Sequence, residues 1–146
     1  MTTMRRNRRQ RQHTRWVELL EARCVLDSTV VFNELMYYPR PELGGAASEW
    51  IELHNQMSVD VELSNWRIDG GVEYQFPVGT ILAAGDYLVV AADPTQLVDA
   101  VDAAHLLGPW QGNLANEGEH VELRNHTGRL LSEIDYRDDE PWPLAA

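Results

Sequence analysis

A chain of 146 residues, 44% hydrophobic and 24% charged, is long enough for one domain with a real core and short for two. No apolar run approaches the roughly 20 residues a membrane-spanning helix needs, so no such helix is predicted. Cys24 is the only cysteine, which excludes an intrachain disulfide and a thiolate metal cluster.

The net charge of −11 is unevenly distributed. Seven arginines against three acids give residues 1–28 a charge of +4, and five arginines against twenty acids give the remainder −15. A body of that sign repels phosphate backbones, so it is not expected to bind nucleic acid, whereas the arm carries the charge to do so.

Residues 1–15 are rich in Arg and Gln and nearly free of apolar side chains. Such a segment cannot offset its own ordering entropy and is predicted to be disordered. Trp16, Leu19, Leu20 and Arg23 then fall near helical spacing, as in a short amphipathic turn. In order of preference, the arm reads as a targeting leader, a nuclear-localisation or nucleic-acid arm, or a solvated tail.

From Val30 onward, short apolar runs alternate with Gly, Pro, Asn and Asp, the pattern of strands and turns. Eight strands are predicted: Val30 to Met36, Glu49 to Asn55, Val59 to Leu63, Trp66 to Asp69, Glu73 to Phe76, Tyr87 to Ala91, Glu119 to Arg124 and Leu130 to Tyr136. Alternation sets Ile51 and Leu53 inward against Glu52 and His54, and Val59, Val61 and Leu63 inward against Asp60 and Glu62. Hairpins are predicted at Gly70-Gly71, Ala84-Gly85-Asp86 and Asn125-His126-Thr127-Gly128. Only Thr95 to His105 is suited to a helical turn. The spacing favours a two-sheet sandwich.

Several ordered motifs then resemble one family: Asn33-Glu34-Leu35-Met36-Tyr37, Glu49-Trp50-Ile51-Glu52-Leu53-His54-Asn55, Val61-Glu62-Leu63-Ser64-Asn65-Trp66-Arg67-Ile68, Phe76-Pro77-Val78-Gly79-Thr80, Leu82 to Val90, Leu114 to Glu119 with Val121-Glu122-Leu123, Asp135-Tyr136 and Pro141-Trp142-Pro143. Together they resemble the lamin-tail domain. The resemblance implies an all-β, immunoglobulin-like β-sandwich over residues 29–146, preceded by the basic disordered arm of residues 1–28, and no catalytic residue. Bacterial relatives usually continue past Pro-Trp-Pro into a final Ser-Leu-Glu strand, so a sheet short of its last strand is expected. The product then resembles a fragment of a multidomain protein, or an edge awaiting a partner. The stretch Leu20-Glu21-Ala22-Arg23-Cys24-Val25-Leu26 behind the arginines resembles the Leu-Glu-x-Arg-x-Leu-Leu leader of surface-exported bacterial proteins, with Val25 in place of a Leu.

The residues that could carry chemistry are few. Glu34, Glu49, Glu52 and His54 are the residue types of an acid–base set, but strand alternation turns Glu52 and His54 to solvent, and carboxylates at strand edges commonly accept backbone or Arg hydrogen bonds. No enzyme activity is expected. Asp135, Asp138, Asp139 and Glu140 offer hard oxygen ligands for calcium without the spacing of a helix–loop–helix site, and no other cofactor is implied. The five histidines lack the spacing of a zinc site. Asn125-His126-Thr127 spells a glycosylation sequon, yet with Gly128 it reads more simply as a turn. Trp66, beside Leu63 and Ile68, reads as core. Trp110 and Trp142 follow prolines beside loops and, with Glu49 and Glu52, are the candidates for a partner-facing patch.

The expectation is an exported or cell-surface interaction and adhesion module, a monomer or part of a larger protein, holding a protein or polysaccharide partner. The alternatives are a nuclear or nucleoid module with a nucleic-acid-binding arm, and a calcium-dependent accessory domain of a larger enzyme.

Overall fold

The computed structural model describes residues 29–138. Eleven strands follow in chain order: β1 (Val30–Met36), β2 (Trp50–Asn55), β3 (Val61–Glu62), β4 (Arg67–Asp69), β5 (Val72–Gln75), β6 (Ile81–Leu82), β7 (Tyr87–Ala91), β8 (Leu106–Leu107), β9 (Gln111–Gly112), β10 (Gly118–Arg124) and β11 (Leu130–Arg137). One sheet runs β1-β2-β7-β8 and the other β11-β10-β4-β5-β9, with β3 and β6 forming a two-stranded ribbon. All pairings are antiparallel except β7 with β8. The described residues are all β apart from one-turn 3-10 helices, including Pro94–Gln96 and Ala103–His105 within the segment suited to helical turns.

The core follows from the pleat. Along β2, Ile51 and Leu53 are wholly buried, while Glu52 and His54 are half-buried on the opposite face. Ile68 on β4 and Val121 and Leu123 on β10 are likewise wholly buried. Trp66 is 7% exposed and belongs to this core, as its spacing to Ile68 predicts. The layers are tied at one edge, where the Phe32 amide donates to Ser132 Oγ at 3.3 Å and the rings of Tyr37 and Tyr136 meet at 4.5 Å.

Two hairpins form as predicted. Gly70 turns β4 into β5 with φ +131°, and a Cβ there would stand 2.4 Å from the His120 carbonyl oxygen, so the turn needs glycine. At the β10–β11 hairpin, Asn125 Oδ1 accepts from the amides of Thr127 and Arg129 and from Thr127 Oγ1. The third site is different. Ala84 to Asp86 does turn, with the Asp86 amide donating to the Ala83 carbonyl, but it carries the chain from the ribbon into the first sheet, so the flanking strands do not pair.

The strand expected from Val59 shrinks to Val61–Glu62, and Val59 is 57% exposed. The cause is Asn55, wholly buried, whose Nδ2 donates to the carbonyls of Val59, Leu82 and Ala83. That knot holds the Val59 carbonyl in a loop instead of a ladder. The short strands β6, β8 and β9 carry two residues each, too few to show a period.

Candidate functional site

The outer face of the second sheet gathers the most ionisable groups. Val121 and Leu123 point inward, so His120, Glu122 and Arg124 point out, and the β10–β11 register sets His120 opposite Asp135 and Glu122 opposite Glu133. Glu122 also faces Asp69 on β4. His120 Nδ1 lies 2.8 Å from Asp135 Oδ1, and Nε2 lies 3.2 Å from Glu122 Oε1 and 3.6 Å from Glu133 Oε2. Arg124 grips the other Glu122 oxygen at 2.7 and 2.8 Å.

Hydrogen bonds to the carboxylates of Asp135 and then Glu122 hold the His120 pKa above its ordinary value. The Arg124 bond, ahead of the His120 bond, holds that of Glu122 below. The cluster is thus a polar network in which the His120 ring and the Arg124 guanidinium face a row of carboxylates. Ligand atoms of His120, Glu122 and Glu133 lie within 4.8 Å of one another. One imidazole nitrogen with two carboxylates suits a zinc-like cation, and Asp135 would orient the ring from its far nitrogen.

Of the acids expected to bind calcium, Asp135 enters this cluster through His120, and Asp138 is exposed and takes no part in its ion pairs. Asp139, Glu140 and Trp142 lie outside the described residues, as do the basic arm and its leader-like stretch.

Two residues expected on a partner-facing patch are buried. Glu49 is 2% exposed, and its Oε2 accepts the buried Leu114 amide at 2.9 Å. Burial raises its pKa, that bond lowers it, and the charge of Glu119 raises it further. Glu119 Oε2 accepts the Ala115 amide at 3.2 Å, and the Tyr136 hydroxyl donates to the Ala115 carbonyl at 2.8 Å. The phenol pKa is pushed up, first by burial and then by Glu119 and Glu49. These three side chains clamp the loop before β10. Glu49 precedes Ile51 by two residues and shares its inward parity, the signal that places it here. Trp110 is 7% exposed and part of the core, because the chain after it pairs as β9 with β5 and carries its ring inward. Its Nε1 is buried without a protein partner.

Glu52 remains on an outer face, accepting Asn33 Nδ2 at 2.6 Å. His54 stacks on Tyr87 with ring centroids 4.3 Å apart. With Glu49 committed to the Leu114 amide, the sequence set of Glu34, Glu49, Glu52 and His54 does not assemble as an acid–base group.

A second concave region lies at one end of the sandwich. A cleft of about 500 Å³ is lined by Glu62, Ser64, Asn65, Trp66, Asn125 and His126, within the roughly 300–1,000 Å³ range of ligand sites. It joins the turn after β3 to the β10–β11 turn. The sequence marks Trp66 as core and Asn125-His126 as a turn but does not bring them together, since the two walls stand about sixty positions apart.

A two-layer β-sandwich with polar outer faces and a loop-end cleft is an architecture of the immunoglobulin-like type. Residues 27–138 match the family model of the Lamin Tail Domain, and the chain belongs to that family. Among curated proteins, none matches it. No helix among the described residues is long and apolar enough to cross a membrane.

Proposed function

We propose that this chain is an exported, cell-surface interaction module that holds a protein or polysaccharide partner without transforming it. The observation that carries this reading is the outer face of β10 and β11, where His120, Glu122, Glu133 and Asp135 are fixed on paired strands of a rigid sheet and open to solvent. Side chains mounted this way are preorganised for contact and lose little freedom on binding. The Arg-rich leader-like stretch ending near Leu26 supports export, and the acidic body opposes a role on nucleic acid.

Cell fractionation with N-terminal sequencing of the recovered protein tests this. Recovery at the surface or in the medium is expected. Recovery in the nucleoid or nuclear fraction, with DNA binding that falls steeply with salt and disappears on deleting residues 2–15, overturns it in favour of a nucleic-acid-binding arm. Calcium dependence is a separate reading, and a melting temperature that rises with calcium and falls with chelator would support it.

A further inference from the structure

We propose that the loop-end cleft between Ser64–Trp66 and Asn125–His126 is a subsite for a neutral saccharide. This rests on the reading of the chain as a binding module and names the chemistry of one partner class.

The cleft presents donors whose directions are already fixed. Asn125 Oδ1 is committed to three donors of its own turn, which leaves its Nδ2 without a partner among the described residues. Asn65 Oδ1 accepts from Gln75 Nε2 at 3.1 Å, so its Nδ2 is left in the same condition. Asn65 also holds φ +60°, a turn conformation that Asn adopts at little cost. Trp66 lines the cleft at 7% exposure, and its indole N–H donates to no described residue. The ring nitrogens of His126 are likewise unpartnered. Facing these donors is Glu62, whose Oε1 takes the Ser64 hydroxyl at 2.7 Å and whose Oε2 is open. Ser64 is spent, because its Oγ also accepts the Gly79 amide at 2.8 Å.

Fixed donors beside an open acceptor match a group that both donates and accepts at neighbouring positions, which is what the vicinal hydroxyls of a sugar ring do. Among the described residues, Glu62 is the only one lining the cleft with a fixed charge and no Lys or Arg lines it, which disfavours phosphate or carboxylate ligands. The walls are turns, without a free strand ladder, and among the described residues Trp66 is the only large apolar one lining the cleft. An extended peptide would find neither backbone pairing nor side-chain pockets.

The test is a titration of the whole chain with the methyl glycosides of glucose, galactose and mannose and with their β-linked disaccharides. The side-chain amide signals of Asn65 and Asn125 and the indole N–H of Trp66 are followed by NMR. At least one probe is expected to shift all three saturably, and Asn125→Asp, which keeps the Oδ1 of the turn, is expected to weaken its affinity about tenfold, as loss of one aimed donor predicts. Glu62→Gln keeps an acceptor and is expected to change affinity by less than about threefold. Signals unmoved by every probe overturn the subsite, as does equal affinity in a folded Asn125→Asp. An acetylated octapeptide shifting the same signals while the sugars do not overturns it too. Fractionation reports on export independently: surface recovery with silent amides removes only the saccharide, and shifting amides in a DNA-bound protein support the subsite while removing export.

Discussion

The molecule uses carboxylates in two opposite ways, and the clamp around Leu114 and the open face of β10 and β11 show the difference. Glu49 is sealed in the core and commits a carboxyl oxygen to one backbone amide, so it works as a fastener. Glu122 and Glu133 stand on a wet surface among counter-ions that water and salt can replace. The residue type is the same in both places, and depth decides whether it holds the fold or meets the outside.

Substitutions should widen that contrast. Glu49→Ala leaves the Leu114 amide buried without an acceptor, and urea unfolding is expected to show a loss of about 2–3 kcal/mol. Glu49→Gln keeps an acceptor oxygen and should lose less. A midpoint unchanged in the alanine variant would place Glu49 among the surface acids and collapse the distinction. Tyr136→Phe removes the donor to the Ala115 carbonyl at the rim of the same clamp and should cost about 1 kcal/mol. Glu122→Gln, on the open face, should stay within about 0.5 kcal/mol of the parent at moderate salt; a larger loss would mean that the face, too, fastens the fold.

The smallest effect concerns protons. Carboxylate hydrogen bonds raise the His120 pKa in the folded chain, so its charged form is favoured by folding. That contribution is complete below the unfolded value of about 6.5 and is lost as pH rises through the folded one. The melting-temperature difference between parent and His120→Gln should therefore be larger at pH 6 than at pH 8. A difference that is flat across this range would show that the imidazole and its carboxylates are not coupled.

Much of this was legible in the chain itself. Val30 to Met36 and Tyr87 to Ala91 are long enough for their apolar runs to declare them, and the strands have those bounds. The parity of Ile51 and Leu53 was correct, and carrying it two residues back would have turned Glu49 inward. Local pattern could not show Asn55 reaching across to Leu82 and Ala83, because that knot joins carbonyls 27 and 28 residues away and undoes the strand expected to start at Val59. The same limit applies to the sites. His120 and Glu122 share an outward parity readable from Val121 and Leu123, but their meeting with Glu133 and Asp135 depends on the register of the Asn125–Gly128 turn. Trp110 misled because the proline before it and glycine two residues after it signal a loop, while the pairing of β9 is set by a strand nearly forty positions earlier.

The bond between Glu49 and Leu114 spans 65 residues. It joins the entrance of β2 in one layer to the approach to β10 in the other, and its donor is shut away from solvent. Deuterium can reach that single amide only when the contact with Glu49 opens. Its exchange rate is therefore a built-in gauge of how often the clamp between the two layers lets go, against which the breathing of other loops can be compared.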